Sequence, residues 1–133
     1  MTANFLPSYR SICQRVTFMK VNGRSRVNAS QDEFVEVVKL FLRGAAFDEA
    51  WYLRMYPDVA EAVKTGAFKS GRQHFIEVGY FEGRRSANFE VDEKWYLSTY
   101  ADVAEQIGKG NVKSAQQHFN DHGYEEGRLP RDL

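Results

Sequence analysis

Residues 48–61 read DEAWYLRMYPDVAE, and residues 92–105 read DEKWYLSTYADVAE. The match extends in both directions at a constant offset of 44, so that residues 47–86 and 91–130 are identical at 21 of 40 positions. Identity at this level, without a gap, indicates an internal duplication. A period in the forties is typical of repeats that contain two or three helices.

Each copy contains its own signals for the start and end of helices, described here for the first copy. Asp48 is suited to cap a helix with an aromatic face, and that helix ends before Pro57, because the residue before a proline avoids helical geometry. Asp58 begins Asp-Val-Ala-Glu, which resembles a capping box for a second helix. Ser70 has the capping-box spacing for a third helix, which ends at Gly79. Each copy is therefore predicted to form three short helices.

The segment before the repeats has a different pattern. Residues 12–21 and 24–28 are rich in β-branched or alternating residues, and they flank an Asn-Gly pair that begins at Asn22. A two-residue Asn-Gly loop between extended segments is a strong signal for a β-hairpin. Direct pairing from this loop places Phe18 opposite Val27.

A helix is predicted between the hairpin and the first repeat, with Ser30 or Asp32 as its cap and Gly44 at its end. One face of this helix carries Phe34, Val37, Val38, Phe41 and Leu42. The predicted fold class is mainly α. It consists of a basic arm with a hairpin at residues 1–31, a capping helix at 32–46, and tandem 44-residue three-helix repeats at 47–90 and 91–133.

The distribution of charge along the chain is uneven, although the formal net charge is zero. Residues 1–31 contain five basic residues and no acidic residue, giving +5, and the 13 basic and 18 acidic residues of the remainder give −5. The arm can fold onto its own body or onto a second subunit, or it can bind an anionic partner such as lipid headgroups, nucleic acid or an acidic glycan. We take Arg15, Phe18, Lys20, Arg24 and Arg26 as its candidate interaction residues.

Composition excludes several classes of protein. The single cysteine, Cys13, excludes an internal disulfide framework and a multi-cysteine zinc site. No apolar run approaches the roughly 20 residues of a membrane-spanning helix, and the N-terminus lacks the pattern of a secretory signal, so we expect a cytoplasmic protein. The zero net charge disfavours nucleic acid as a partner of the whole molecule.

The duplicated residues resemble a known type of repeat. Trp51-Tyr-Leu, Pro57-Asp-Val, His74-Phe, Gly79 and Glu82-Gly-Arg follow one another as in tandem units attached to bacterial glycosyltransferases and other polysaccharide-biosynthesis or cell-surface proteins. The resemblance covers residues 47–130, and the second copy departs from it at Ala101, where the unit usually has proline. It implies an accessory module beside an enzyme, and it provides no catalytic residue to carry over.

The candidate platform for a glycan or partner consists of residues that recur in the two copies: Trp51, Tyr56, His74, Arg84, Trp95, Tyr100, His118 and Arg128. Aromatic faces and guanidinium groups can bind sugar rings and anions. The same residues also suit a structural role, in which the aromatic rings pack in the core, each histidine bonds a backbone carbonyl or a carboxylate, and each arginine pairs with an aspartate or glutamate. His118 and His122 have a spacing that can chelate a metal, but no third ligand follows them, and we expect neither a metal nor a cofactor.

Two functional hypotheses follow, and neither is catalytic. The first is an adaptor or assembly module for the synthesis of a bacterial exopolysaccharide or cell-surface glycan. It would contact a protein partner such as a glycosyltransferase or polysaccharide synthase and form a homo-oligomer through its N-terminal arm. The alternative is a glycan-binding module that uses exposed aromatic rings and arginines of the repeats.

Overall fold

The computed structural model describes residues 4–133 and is mainly helical, with a short antiparallel hairpin near the N-terminus. The chain divides into two compact units, the first ending at Ala87 and the second comprising Asn88–Leu133. Within residues 4–133, no helix combines the length and the apolar character needed to cross a bilayer.

The first unit begins with a one-turn helix and the hairpin. Helix α1 comprises Tyr9–Cys13, and the Ser8 side chain accepts a hydrogen bond from the Ser11 N–H at its start. The expectation that strand geometry begins at residue 12 is therefore wrong, because this serine cap starts a helical turn instead. Strand β1 comprises Thr17–Val21 and pairs with strand β2, Arg24–Asn28.

The hairpin has the predicted loop and register. Asn22 and Gly23 both have positive φ, 52° and 75°, as a two-residue hairpin loop requires. Phe18 lies opposite Val27, as the direct pairing predicts. All ten residues of the two strands are exposed to solvent.

Helix α2, Gln31–Gly44, leads from the hairpin to the helices of the first unit. Ser30 caps it in a reciprocal capping box with Glu33, so Ser30 and not Asp32 is the cap. Leu42 is buried in the core of the unit, whereas Phe34 on the same predicted apolar face is 62% exposed. Only part of this face is therefore covered within the chain.

Helices α3, Glu49–Met55, and α4, Pro57–Lys64, form a corner at Tyr56. The Asp48 side chain caps α3 at 2.9 Å from the Trp51 nitrogen, as predicted. The predicted capping box at Asp58 does not form, because α4 begins at Pro57 with Tyr56 as its cap residue. Proline suits the first position of a helix, and it leaves the Asp58 carboxylate free for a different partner.

The first unit ends with helix α5, Gly71–His74, which continues as a π-helical turn over Phe75–Gly79 and a 3₁₀ turn over Tyr80–Glu82. Ser70 accepts from the Gln73 N–H at 3.0 Å and caps α5. The Gln73 side chain, however, accepts from the Lys69 N–H instead of completing the box with Ser70. The core of this unit contains Leu42, Tyr52, Val59, Phe75 and Ile76.

The second unit contains helices α6, Glu93–Thr99, α7, Ala101–Gly108, and α8, Ala115–His118, which continues as a π-helical turn over Phe119–Gly123. Asp92 and Ser114 cap α6 and α8. Its core consists of Tyr96, Val103, Ala115 and Phe119.

Candidate functional site

The most buried polar contact of the first unit joins Tyr52 to His74. Helix α3 brings the fully buried Tyr52 ring to α5, where its hydroxyl lies 3.0 Å from His74 Nδ1. Gly79 lies beside this pair, and a Cβ at that position would overlap the tyrosine hydroxyl. His74 thus makes a buried contact within its unit, and its partner is a tyrosine hydroxyl, not the carbonyl or carboxylate that the sequence led us to expect.

Burial affects the ionisation of both members of this pair. Desolvation is the main cause that lowers the pKa of His74, and the positive charge of Arg84 lowers it further. Desolvation also raises the pKa of Tyr52 well above its usual value. Both shifts favour the neutral pair, which suits a buried hydrogen bond more than proton transfer at neutral pH.

Arg84 forms the main ion pair of the first unit. Its two terminal nitrogens lie 2.9 and 2.7 Å from the two carboxylate oxygens of Asp58, and its guanidinium lies over the Tyr56 ring at 4.9 Å. Hydrogen bonding from Arg84 lowers the pKa of Asp58 to about 2. The predicted pairing of this arginine with Asp58 is confirmed, so its charge is already neutralised within the unit.

Trp51 and Tyr56 flank this ion pair. The two rings meet edge to face at 6.1 Å, and the guanidinium of Arg85 lies over the indole at 5.4 Å. The Tyr56 hydroxyl accepts a hydrogen bond from the Arg85 N–H at 3.1 Å. Trp51 is partly buried against the core, so it is neither a fully buried core residue nor a fully exposed platform residue.

The second unit contains the corresponding contacts between residues 44 positions later. The Tyr96 hydroxyl lies 2.8 Å from His118 Nδ1, and Arg128 binds Asp102 through two contacts of 2.8 and 2.7 Å. Hydrogen bonding from Arg128 lowers the pKa of Asp102 to about 2.

The ring contacts that surround the ion pair of the first unit also recur in the second unit. Trp95 and Tyr100 meet edge to face at 6.1 Å, and Arg128 lies over the Tyr100 ring at 4.9 Å. The Tyr100 hydroxyl accepts from the Leu129 N–H at 2.9 Å. All eight candidate platform residues therefore take part in contacts within their own unit.

One ring nitrogen of the candidate metal pair, His118 and His122, already makes a contact within the unit. The rings of His118 and His122 lie 5.8 Å apart, and His118 Nδ1 already contacts the Tyr96 hydroxyl. Across residues 4–133, no three side chains of histidine, cysteine, aspartate or glutamate gather as a set of metal ligands.

A surface that sequence reasoning missed lies at the end of the second unit. An open, mostly apolar cleft of about 370 Å³ is lined by residues that include Phe89, Tyr124, Leu129, Arg131 and Leu133. Phe89 and Tyr124 stack there, with ring centroids 6.0 Å apart and planes at 27°. The apolar residues near the C-terminus fall partly outside the matched repeat positions, so the repeat alignment did not point to them.

The arm carries the candidate interaction residues on its surface. Arg15, Phe18, Lys20, Arg24 and Arg26 are all exposed. Among the ion pairs formed within residues 4–133, none involves a cation of the arm.

Sequence reasoning identified these cations but missed the apolar side chains that accompany them. Phe5, Leu6 and Tyr9 are each more than 60% exposed. Their separations of three and four positions fit a helix period, but α1 begins only at Tyr9, so the three side chains do not form one helix face.

Comparisons with known proteins do not assign the chain to a family. No family model matches it, and no curated protein or solved structure gives a significant match.

Proposed function

We propose that residues 47–90 and 91–133 are two copies of one three-helix repeat. Support comes from the 21 identical positions and from the contacts that recur at the same offset. The identical residues include the tyrosine–histidine pair, the aspartate–arginine pair and the aspartate and serine caps. We propose that these residues occur in both copies because they make the internal contacts of each unit.

We further propose that the chain is a non-catalytic adaptor or assembly module that acts through protein–protein contacts. One observation carries this proposal. The paired arginines and aspartates of the repeats bind one another, whereas nine of the fourteen large apolar side chains exposed in residues 4–133 lie in the arm and on α2. Exposed apolar groups together with arginine are typical of surfaces that bind another protein.

The biological setting that we propose rests on the resemblance of the repeats to modules of bacterial glycosyltransferases and related proteins. On that basis the partner is a glycosyltransferase or polysaccharide synthase, and the process is the synthesis of an exopolysaccharide or cell-surface glycan. A cytoplasmic location and homo-oligomer formation through the arm belong to the same proposal.

A glycan-binding module is the second candidate, and the cleft of the second unit favours it. Stacked Phe89 and Tyr124 offer an apolar wall, and Arg131 stands at the same cleft. Such a cleft could bind a sugar ring by its C–H face. Of the predicted platform residues, Arg128 also lines this cleft, whereas Trp95 and Tyr100 of the same unit do not.

Complementation of a gene deletion tests the proposal and separates the two candidates. Phe34 and Phe41 are exposed on α2, and Leu133 is 80% exposed at the cleft. We expect deletion to lower polysaccharide yield. Wild type and Leu133→Asp should restore the yield, whereas Phe34→Asp combined with Phe41→Asp should not.

The opposite pattern, in which only Leu133→Asp fails to restore the yield, would assign the function to glycan binding. An unchanged yield in the deletion strain would refute the link to polysaccharide synthesis. Circular dichroism and urea unfolding of the purified variants provide the control for folding.

A further inference from the structure

The hairpin has two free edges, and the loop geometry determines which backbone groups point outward. A two-residue turn joins the Val21 carbonyl to the Arg24 N–H, so this pair is hydrogen-bonded. Bonded and non-bonded pairs alternate along an antiparallel ladder. The N–H and C=O groups of Phe18 and Lys20 therefore face away from β2.

The two edges differ in charge. Strand β2 carries Arg24 and Arg26, whereas β1 carries one cation, Lys20, among Thr17, Phe18, Met19 and Val21. Charged side chains on an edge strand discourage pairing with another chain. Strand β1 is thus the less protected edge.

The side chains of β1 are also apolar enough to favour burial. Phe18 is 49% exposed and Met19 is 45% exposed, and Val21 is exposed beside the loop. A lone two-stranded hairpin is only marginally stable in water, and additional strands with a covered apolar face stabilise it.

We propose that β1 pairs antiparallel with β1 of a second copy of the chain, with Met19 opposite Met19 on a two-fold axis, to form a four-stranded sheet. This inference rests on the assembly role proposed above and specifies the partner and the contact surface. A two-fold interface uses the same surface on both copies, which is the commonest arrangement of soluble homo-oligomers.

The register follows from the outward groups and from the single lysine. Centring the pair on Met19 sets Phe18 opposite Lys20 of the other copy, so all four outward N–H groups and all four outward C=O groups of those residues lie in hydrogen-bonded pairs. Centring it on Lys20 would place two lysines face to face, and like charges directly opposite destabilise a sheet. Centring it on Phe18 would set Lys20 opposite Val16, which lies before the start of the strand.

Disulfide trapping tests the register directly. Met19→Cys in a Cys13→Ser background should place two Cα atoms about 4.5 Å apart across a non-hydrogen-bonded pair, which lies within the range for a disulfide. Arg26→Cys is the matched control, since Arg26 lies opposite Met19 within the hairpin but on the outer strand of the proposed sheet. Its two copies would be separated by three strand spacings, roughly 14 Å. We expect Met19→Cys to cross-link at least tenfold faster, and equal rates would overturn the proposal.

A matched pair of proline variants tests the edge without a cross-link. Lys20 and Ser25 lie opposite each other, and their N–H groups point outward from β1 and β2 respectively. Proline is tolerated where an edge N–H faces solvent. Sedimentation should show that Lys20→Pro raises the dimer dissociation constant at least tenfold while Ser25→Pro leaves it unchanged. The reverse order would place the contact on β2 and overturn the proposal.

Salt and lipid separate this dimer from other uses of the arm. The dissociation constant of a dimer formed by like-charged hairpins should stay constant or fall from 0.05 to 0.5 M NaCl, because salt screens the repulsion between their cations. A dimer in which the arm binds the acidic body of a second copy would weaken over the same range and would contradict β1 pairing. A chain that stays monomeric and instead sediments with anionic phospholipid vesicles would also contradict it. None of these readouts depends on polysaccharide yield, so the dimer and the proposed function can fail separately.

Discussion

Within the first unit, residues 4–28 and residues 48–86 differ in how far their side chains are exposed and how many contacts they make within the unit. In the second segment, Tyr52, Asp58, His74 and Arg84 all bind one another or pack in the core. In the first segment, every strand residue is exposed, and no ion pair within the described part of the chain reaches its cations. The second segment is stabilised by its own contacts, and the first leaves its strand side chains exposed.

From this difference we expect substitutions in the two segments to affect different properties, stability in one and association in the other. Substitutions in the contacts of the second segment should lower the free energy of unfolding, since they leave buried groups without partners or force atoms to overlap. Substitutions on the arm should leave the isolated monomer unchanged and alter association. The predictions below test this division.

The largest effect is expected at Gly79. A Cβ there would overlap the buried Tyr52 hydroxyl and lie 3.2 Å from His74 Nδ1. Gly79→Ala should therefore lower the free energy of unfolding by about 3 kcal/mol, the upper end of the usual range for overpacking. Urea unfolding followed by circular dichroism measures this loss.

Gly108 provides the matched control in the second unit. It is the last residue of α7, has no atom near the position of an added Cβ, and has no positive φ. Gly108→Ala should be neutral or stabilise by up to about 1 kcal/mol. A loss of similar size in both variants would mean that the overlap at Tyr52 is not the cause.

An intermediate effect is expected when the tyrosine hydroxyl is removed. Tyr52→Phe leaves His74 Nδ1 buried without its partner, which should reduce the free energy of unfolding by about 1–3 kcal/mol. Tyr96→Phe removes the equivalent bond to His118 and should have a loss of the same order. Parallel urea titrations compare the two, and no loss in either would contradict a structural role for the histidines.

The sequence predicted these regions to different extents. The helix caps at Asp48, Ser70 and Ser114 and the hairpin register were correct, because each depends on residues close together in the chain. The bond between Tyr52 and His74 spans 22 residues and depends on how α3 meets α5, which no local pattern specifies.

Two errors have a common physical origin. Asp58 was predicted to cap a helix, and residue 12 was predicted to begin a strand. In each case a neighbouring residue provided the start of the helix, Pro57 for α4 and Ser8 for α1. Local signals of similar strength compete, and the sequence does not show which one prevails.

A smaller effect is expected from pH. Burial lowers the pKa of His74 below its ordinary value of 6.5, and Arg84 lowers the pKa of Asp58 from 3.8 to about 2. Both groups therefore bind protons more readily in the unfolded chain, so stability is complete above the unfolded pKa and falls as the pH is lowered.

The two groups act in separate pH windows. Histidine should begin to lower the urea midpoint below about pH 6.5, and the aspartate should lower it between about pH 4 and 2. The aspartate effect is modest, because its side chain is 64% exposed and solvent screens the pair. Asp58→Asn should reduce the fall in the urea midpoint between about pH 4 and 2 without abolishing it, because the pKa of Asp102 is lowered in the same way. A midpoint that rises on acidification would contradict this assignment.

The most direct test of the division between arm and interior is the urea midpoint measured against protein concentration. Phe18→Ser combined with Val27→Ser changes two exposed hairpin residues that lie opposite each other. Binding of a second copy stabilises the folded state in proportion to the logarithm of concentration. We predict that the wild-type midpoint rises with concentration, that the variant midpoint does not, and that the two coincide at the lowest concentration. A variant midpoint that lies below wild type by the same amount at every concentration would show that the hairpin stabilises the monomer, and would contradict the account.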